Sequence, residues 1–300
     1  IVQMGDHEFR FEDEPDPGEY FLEMARLELR ETPAIREAAL RELKEKVANT
    51  EGLVWSLDDD TLFLSFLRSC KFYVDSAYEK VISAFRFREK NAKYFADLNP
   101  MKERNVFENN LFTVLPYRDN NGRRTIIVEV GKKWNTKTVS LLEIVRGIVI
   151  VIEAAQLEPK TQIAGVNIIL DLDGLTISHV WQFSPSFAKF LLEFIQENLP
   201  LRIKSVHVVK QPYIFNMLFA IFKPFILEKL RERIFFHGND MSSLTEHIEP
   251  KFLPTQYGGI LEFQTIHGLA IHELICRFQD QIDEVNRRGF LSKKKSDKKK

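Results

Sequence analysis

The sequence predicts an α/β chain: a small all-helical bundle followed by a mixed or parallel β-sheet with helices packed on it. Three observations carry that reading. Apolar residues recur at helical spacing up to about residue 95, short β-branched runs alternate with helix-length segments from residue 111 onward, and turn signals such as Asp119-Asn120-Asn121-Gly122 separate those runs. With 300 residues, 44% hydrophobic and 28% charged, the chain can fill one generous core or two modest ones, which excludes collagen-like, mucin-like and wholly disordered classes.

Pro15, Pro17 and Gly18 punctuate an acidic leader, residues 1–19, expected to be disordered. Residues 20–47 read as two helices parted at Thr32-Pro33, because proline fits the first turn of a helix and not its interior. Asp58-Asp59-Asp60-Thr61 offers capping oxygens ahead of Leu62, Phe63, Phe66 and Leu67, which share a helical face. A further helix from about Asp75 presents Ala77, Val81, Phe85 and Phe87 inward. Residues 111–115 and 125–130 then form a hairpin, 140–157 a largely apolar helix, and 166–172 a continuous β-branched run suited to a buried central strand. Residues 185–198 make an amphipathic helix, 206–209 and 233–236 two more strands, and 268–290 a C-terminal helix. The expected organisation is leader 1–19, helical domain 20–98, sheet domain 99–262, C-terminal helix 263–290 and polybasic tail 291–300.

The net charge of −1 conceals an asymmetry: residues 1–23 hold eight carboxylates against Arg10, and residues 287–300 hold eight Lys and Arg against Asp297. Such blocks are ordinarily solvated tails; the alternative reading is that residues 293–300 form a polybasic segment drawn to an anionic membrane surface, at about 1 kcal/mol per basic residue. The acidic opening does not resemble a signal peptide, and two cysteines, Cys70 and Cys276, are too few for a disulfide framework or a four-thiolate zinc site, so a reducing cytosolic setting is expected. The longest apolar stretch, 213–227, contains Asn216, Lys223 and Pro224 and falls short of the roughly 20 residues of a membrane span.

Phosphate-loop, dinucleotide, nucleophile-elbow and His-Glu-x-x-His signatures are missing. His179, His207 and His237 read as structural, as does Cys70, while Asp171 and Asp173 read as turn caps paired with basic side chains. The expectation is therefore no catalytic residue, no metal, no cofactor and no enzymatic activity. Basic residues are not interleaved with aromatics as in nucleic-acid binders, so no nucleic-acid partner is expected.

Residues 211–227 stand out because they form a helix apolar nearly all round, with Pro212 suited to its first turn and Pro224 as a break. Lys229, Arg231 and Arg233 follow at once, and Lys229 and Arg233 share a face if helix continues. An apolar helix joined to a cationic edge suits a lid that closes over an interior cavity and can also lie in a lipid headgroup layer.

Phe66-Leu67-Arg68, Lys71-Phe72, Asp171-Leu172-Asp173-Gly174, the run from Asn198 to Lys204, Asn216, Lys223-Pro224-Phe225, Phe236-His237-Gly238 and the run from Leu253 to Gly259 resemble, in order, the CRAL-TRIO lipid-transfer family. The likeness covers roughly residues 25–262 and is greatest to the branch holding α-tocopherol transfer protein, cellular retinaldehyde-binding protein and the clavesins. It implies a helical N-terminal domain, then a sheet-floored CRAL-TRIO domain whose hydrophobic cavity is closed by a gate helix. The family's cavity positions fall on Leu170, Phe183, Leu191, Phe194, Ile195, Leu199, Val206, Phe222 and Ile226, and the gate on Tyr213, Ile214, Phe215, Leu218, Phe219 and Phe225. Its phosphatidylinositol-phosphate contacts fall on Arg202, Lys204, Lys229 and Arg233. One departure is Cys70, which stands where the family's Phe-Leu-Arg-Ala-Arg stretch has its second arginine. The resemblance implies a cytoplasmic, monomeric carrier of a tocopherol, retinoid or related isoprenoid, released at endosomal or other phosphoinositide-bearing membranes. The alternative is a vesicle-trafficking adaptor resembling the clavesins.

Overall fold

A computed structural model describes residues 1–4, 6–58, 60–262 and 268–291, so residues 263–267 of the expected C-terminal helix and 292–300 of the basic tail lie outside the described residues. The chain opens with a hairpin, β1 (Val2–Met4) and β2 (His7–Phe9), whose Val2 and Phe9 are buried in the main core. This corrects the expectation of a disordered leader. Glu12 is held by Arg118, Arg124 and Lys160, and the Arg124 guanidinium lies 5.0 Å over the Phe9 ring. Those partners are more than 100 residues away, and local composition gives no sign of them.

Burial alone would raise the Glu12 carboxyl, but hydrogen bonding to Lys160 and the charges of Arg118 and Arg124 outweigh it and bring its pKa from 4.5 to about 2. Because the folded value lies below the unfolded one, this stabilisation is complete above about pH 4.5 and is lost as pH falls toward 2. Amide-exchange protection of the leader is expected to collapse across that window. In Glu12→Gln it should already be weak at pH 7; equal protection in both proteins at pH 7 would refute the anchoring.

The helical bundle comprises α1 (Glu19–Leu29), α2 (Pro33–Ala48), the short strand β3 (Leu53–Val54), α3 (Asp60–Ser69) and α4 (Val74–Lys90). Thr32 caps α2 by accepting from the Ile35 amide, and Pro33 occupies the first turn. Trp55 stacks on Phe63 at 4.1 Å in a core shared with Leu43, Leu67 and Val81. The short helices α5 (Ala92–Phe95) and α6 (Arg104–Glu108) lead into the sheet domain.

There the chain runs β4 (Phe112–Val114), β5 (Arg124–Glu129), α7 (Leu141–Ala155), α8 (Pro159–Ala164), β6 (Val166–Asp171), α9 (Ile177–Val180) and α10 (Pro185–Glu193). It continues through a π-helical turn (Phe194–Asn198) to β7 (Ile203–Val209), α11 (Phe215–Phe222), a 3-10 turn (Lys223–Phe225), α12 (Glu228–Arg231), β8 (Ile234–Gly238) and α13 (Met241–Thr245). The five strands lie in the order β4-β5-β6-β7-β8, with β4 antiparallel to β5 and the remaining neighbours parallel.

Register sorts the sheet into two faces. Ile126, Ile168, Val206 and Ile234 lie side by side in one row, and Phe112, Val128, Leu170, Val208 and Phe236 in another. With side chains alternating along each strand, both rows point the same way. Ile127 and Ile169, with Leu115 and Val209, point the other way, onto Leu244, Ile248, Leu253 and Tyr257.

The expected single C-terminal helix is two, α14 (Gly268–Cys276) and α15 (Gln279–Arg287), followed by β9 (Gly289–Phe290), which pairs antiparallel with β3. Between the two helices Phe278 meets Phe11 of the leader edge-on at 5.0 Å.

Candidate functional site

The row-bearing face of the sheet floors a cavity of about 300 Å³. Ile144, Ile148 and Ile152 of α7 wall one side, and Phe187 and Leu191 of α10 with Phe194 and Ile195 of the π-helical turn wall another. α11 covers it with Phe215, Leu218, Phe219 and Phe222, an i, i+3, i+4, i+7 stripe. No nitrogen or oxygen atom is exposed on the wall.

The nine residues expected at the cavity, from Leu170 to Ile226, all lie on this wall. Of the six expected on the covering helix, Phe215, Leu218 and Phe219 reach it. Tyr213, Ile214 and Phe225 do not, because the helix is shorter than 213–227. Pro224 has no amide to donate and its ring would crowd the preceding turn, so the chain tightens into a 3-10 turn and then extends at Ile226. Phe225 packs with Leu192, Ile226 and Leu230 instead, and Tyr213 is 91% exposed.

Two features escaped the sequence reading. Gln196, in the π-helical turn, donates to the Phe225 carbonyl (3.1 Å) and accepts from the Leu227 amide (2.8 Å), clasping the far end of the cover. Nothing in an amphipathic pattern singles out that amide. Beside α11 packs α9, where Ile177 is exposed and the adjoining Trp181 is 76% exposed; Met217 of α11 is 53% exposed. Large apolar residues within a connecting segment were the available signal.

The expected cations are only partly gathered. Arg202 and Lys204 both bind Glu28 of α1, at 2.7 and 3.0 Å, and Arg233 donates to the Ile203 carbonyl between them. Burial would raise the Glu28 carboxyl, yet those two hydrogen bonds hold it below its ordinary value. Lys229 is exposed on α12 and makes no ion pair among the described residues. It does not share a helical face with Arg233, because α12 ends at Arg231 and the β-rich residues from Ile234 onward draw the chain into β8.

None of the polar candidates lies on the cavity wall, although His179 packs against Trp134, which does. Asp171 accepts from the Asp173 amide, Lys210 and the Tyr257 hydroxyl, and Asp173 pairs with Lys132. His207 shares hydrogen bonds with Ser205 (2.8 Å) and His237 (2.9 Å); burial first, then the neighbouring His237 and His247, push its pKa down to about 3. His179 bridges Thr176 and the Trp134 carbonyl. Among the described residues no group of three or more His, Cys, Asp or Glu is placed to hold a metal ion, and no helix is long and apolar enough to cross a membrane.

The family model described as the CRAL/TRIO domain matches residues 108–259. The chain belongs to the CRAL/TRIO family. A CRAL/TRIO relative from Mus musculus, alpha-tocopherol transfer protein-like, is 32% identical over 252 residues, covering 82% of this chain and 73% of that protein. Clavesin-1 of Pongo abelii is 31% identical over 243 residues, covering 80% of this chain and 68% of its own length. The crystal structure of Sfh5 overlays with a TM-score of 0.49 at 17% identity, covering 85% of this chain and 99% of that one. The architecture expected from the CRAL/TRIO motifs, helices ahead of a mixed sheet, is the one observed.

Proposed function

We propose that this chain is a non-enzymatic carrier that holds one small lipophilic molecule, a tocopherol, retinoid or related isoprenoid, under α11 and releases it at membranes bearing phosphatidylinositol phosphates. The observation that carries the reading is a covered cavity of about 300 Å³ with no polar atom on its wall. Close packing is the rule in protein interiors, and a void of ligand size forgoes contacts that an occupant restores.

α11 is the gate in this account. Swinging Phe215, Leu218, Phe219 and Phe222 into water would cost roughly 1.5–3 kcal/mol each, on the order of 10 kcal/mol together. Against a bilayer those side chains find an apolar host, so opening is favoured only there. The outward residues Tyr213, Met217, Ile177 and Trp181 support the same direction of approach, since aromatic and apolar side chains settle at a headgroup boundary. Arg202, Lys204, Lys229 and Arg233 would meet the phosphates through charge and forked hydrogen bonds. Such a protein works as a cytoplasmic monomer that docks reversibly on endosomal or similar membranes.

Mass spectrometry of an organic extract of natively purified protein tests the reading. A stoichiometric lipid is expected; an empty cavity would favour the adaptor role that the clavesin likeness raises. A second test separates headgroup from cargo. Replacing Lys229 and Arg233 by Ala should weaken binding to phosphoinositide vesicles by roughly tenfold or more while leaving ligand affinity in solution nearly intact. Glu28→Gln should act in the opposite sense on vesicle binding, by freeing Arg202 and Lys204. Parallel losses of vesicle and ligand binding in the double variant would contradict separate roles.

A further inference from the structure

We infer that the cavity selects ligands whose buried skeleton carries no hydrogen-bonding group: a plain alkyl or isoprenoid hydrocarbon over the same skeleton bearing a mid-chain hydroxyl or carbonyl. The inference rests on the carrier reading above and narrows its ligand class.

The wall exposes no nitrogen or oxygen, from side chain or backbone. Among the lining side chains Trp134 alone contains a polar atom, and its indole N–H is spent on the Val139 carbonyl at 2.9 Å. No wall residue belongs to the buried side chains left with an orphaned polar atom, so nothing there waits for a ligand's donor or acceptor. Asn167, Ser205 and His207, in the middle of the central strands, lie on the opposite face of the sheet and satisfy one another: Asn167 donates to Asp119 (2.8 Å), Ser205 donates to Asn167 (2.9 Å), and His207 lies 2.8 Å from Ser205. A carbonyl or hydroxyl drawn into the cavity therefore gives up its water and gains no partner. A hydrocarbon has nothing to lose in this way. The same reasoning run in reverse explains why a site built to bond a hydroxyl rejects the analogue lacking it.

The test uses the full chain and a symmetric pair, nonadecane and 10-nonadecanone, whose central oxygen is buried whichever end enters first. Each displaces an apolar dye, diphenylhexatriene, from the wild type and from Val206→Thr and Val128→Thr. Both substitutions keep side-chain size and place a hydroxyl on the floor, and comparing ratios between proteins cancels the ligands' different water solubilities. In the wild type the alkane is expected to bind about 10- to 100-fold more tightly than the ketone. In at least one threonine variant, with its unfolding midpoint essentially unchanged, the alkane-to-ketone ratio should shrink by about threefold or more. Equal wild-type constants, or a ratio unmoved in both folded variants, would overturn the selectivity and leave the carrier reading standing. Failure of both ligands to displace the dye would overturn the carrier reading, and the inference with it.

Discussion

Substituting Asp for Phe222 is expected to cut lipid transfer between vesicles by about a hundredfold or more. Phe222 lies at the junction of three groups of packed side chains: the main core, the cluster under α11, and the cluster around Leu192, Ile226 and Leu230. Its ring meets Phe183 edge-on at 5.7 Å. A carboxylate there would be an unpaired charge against an apolar wall, a cost of several kcal/mol that the protein can escape only by protonating it or by displacing α11. Either outcome damages the seal, and about 3 kcal/mol corresponds to a factor of about a hundred in retention. Phe222→Leu, which keeps the position apolar, should retain most of the rate. A rate unchanged in Phe222→Asp would remove α11 from the gating role.

The second large effect concerns stability. Arg68→Met is expected to destabilise the fold by about 3–5 kcal/mol, which for a chain of this size lowers the unfolding midpoint by roughly 10 °C. Arg68 is 1% exposed, binds Glu31 through two nitrogens at 2.7 and 2.9 Å, and donates to Gln162 at 2.7 Å. Gln162 in turn donates to the carbonyls of Thr61 and Gln156, so one guanidinium ties the helical bundle to the sheet domain. Removing it leaves the Glu31 carboxylate buried without its counterion. Adding Glu31→Leu should recover much of the loss, because replacing both members of a buried pair by apolar groups is tolerated far better than orphaning one. Thermal denaturation of the two variants decides this: equal midpoints would show that the loss comes from packing and not from the stranded charge.

Nine positions of the cavity wall were legible through the family likeness, and the floor strands through their own local signature. Runs such as 166–172 are continuously apolar, and the motifs around them align the wall positions one by one. The covering helix was readable as an apolar segment, but the stripe from Phe215 to Phe222 was not, since a sequence apolar nearly all round does not show which side faces inward. What could not be read depends on distant partners. The leader is held by arginines and a lysine more than 100 residues away, and Phe11 meets Phe278 across a still longer separation. The tethering of Arg202 and Lys204 by Glu28 crosses from one domain to the other over more than 170 residues. The end of α12 before Arg233 is a contest between a weak helix and a β-rich run, settled by pairing with β7.

The alternation of the strands has a consequence for how such a molecule can change over time. Apolar residues two apart along β5, β6 and β7 line the cavity as well as packing into the core, while those between them bear the bonds and packing that anchor the sheet to the rest of the fold. Exchange of a single floor residue can thus retune which passenger is accepted without loosening the scaffold, and repair of the scaffold need not alter the passenger. Diversification of specificity and maintenance of stability can proceed on separate sets of codons.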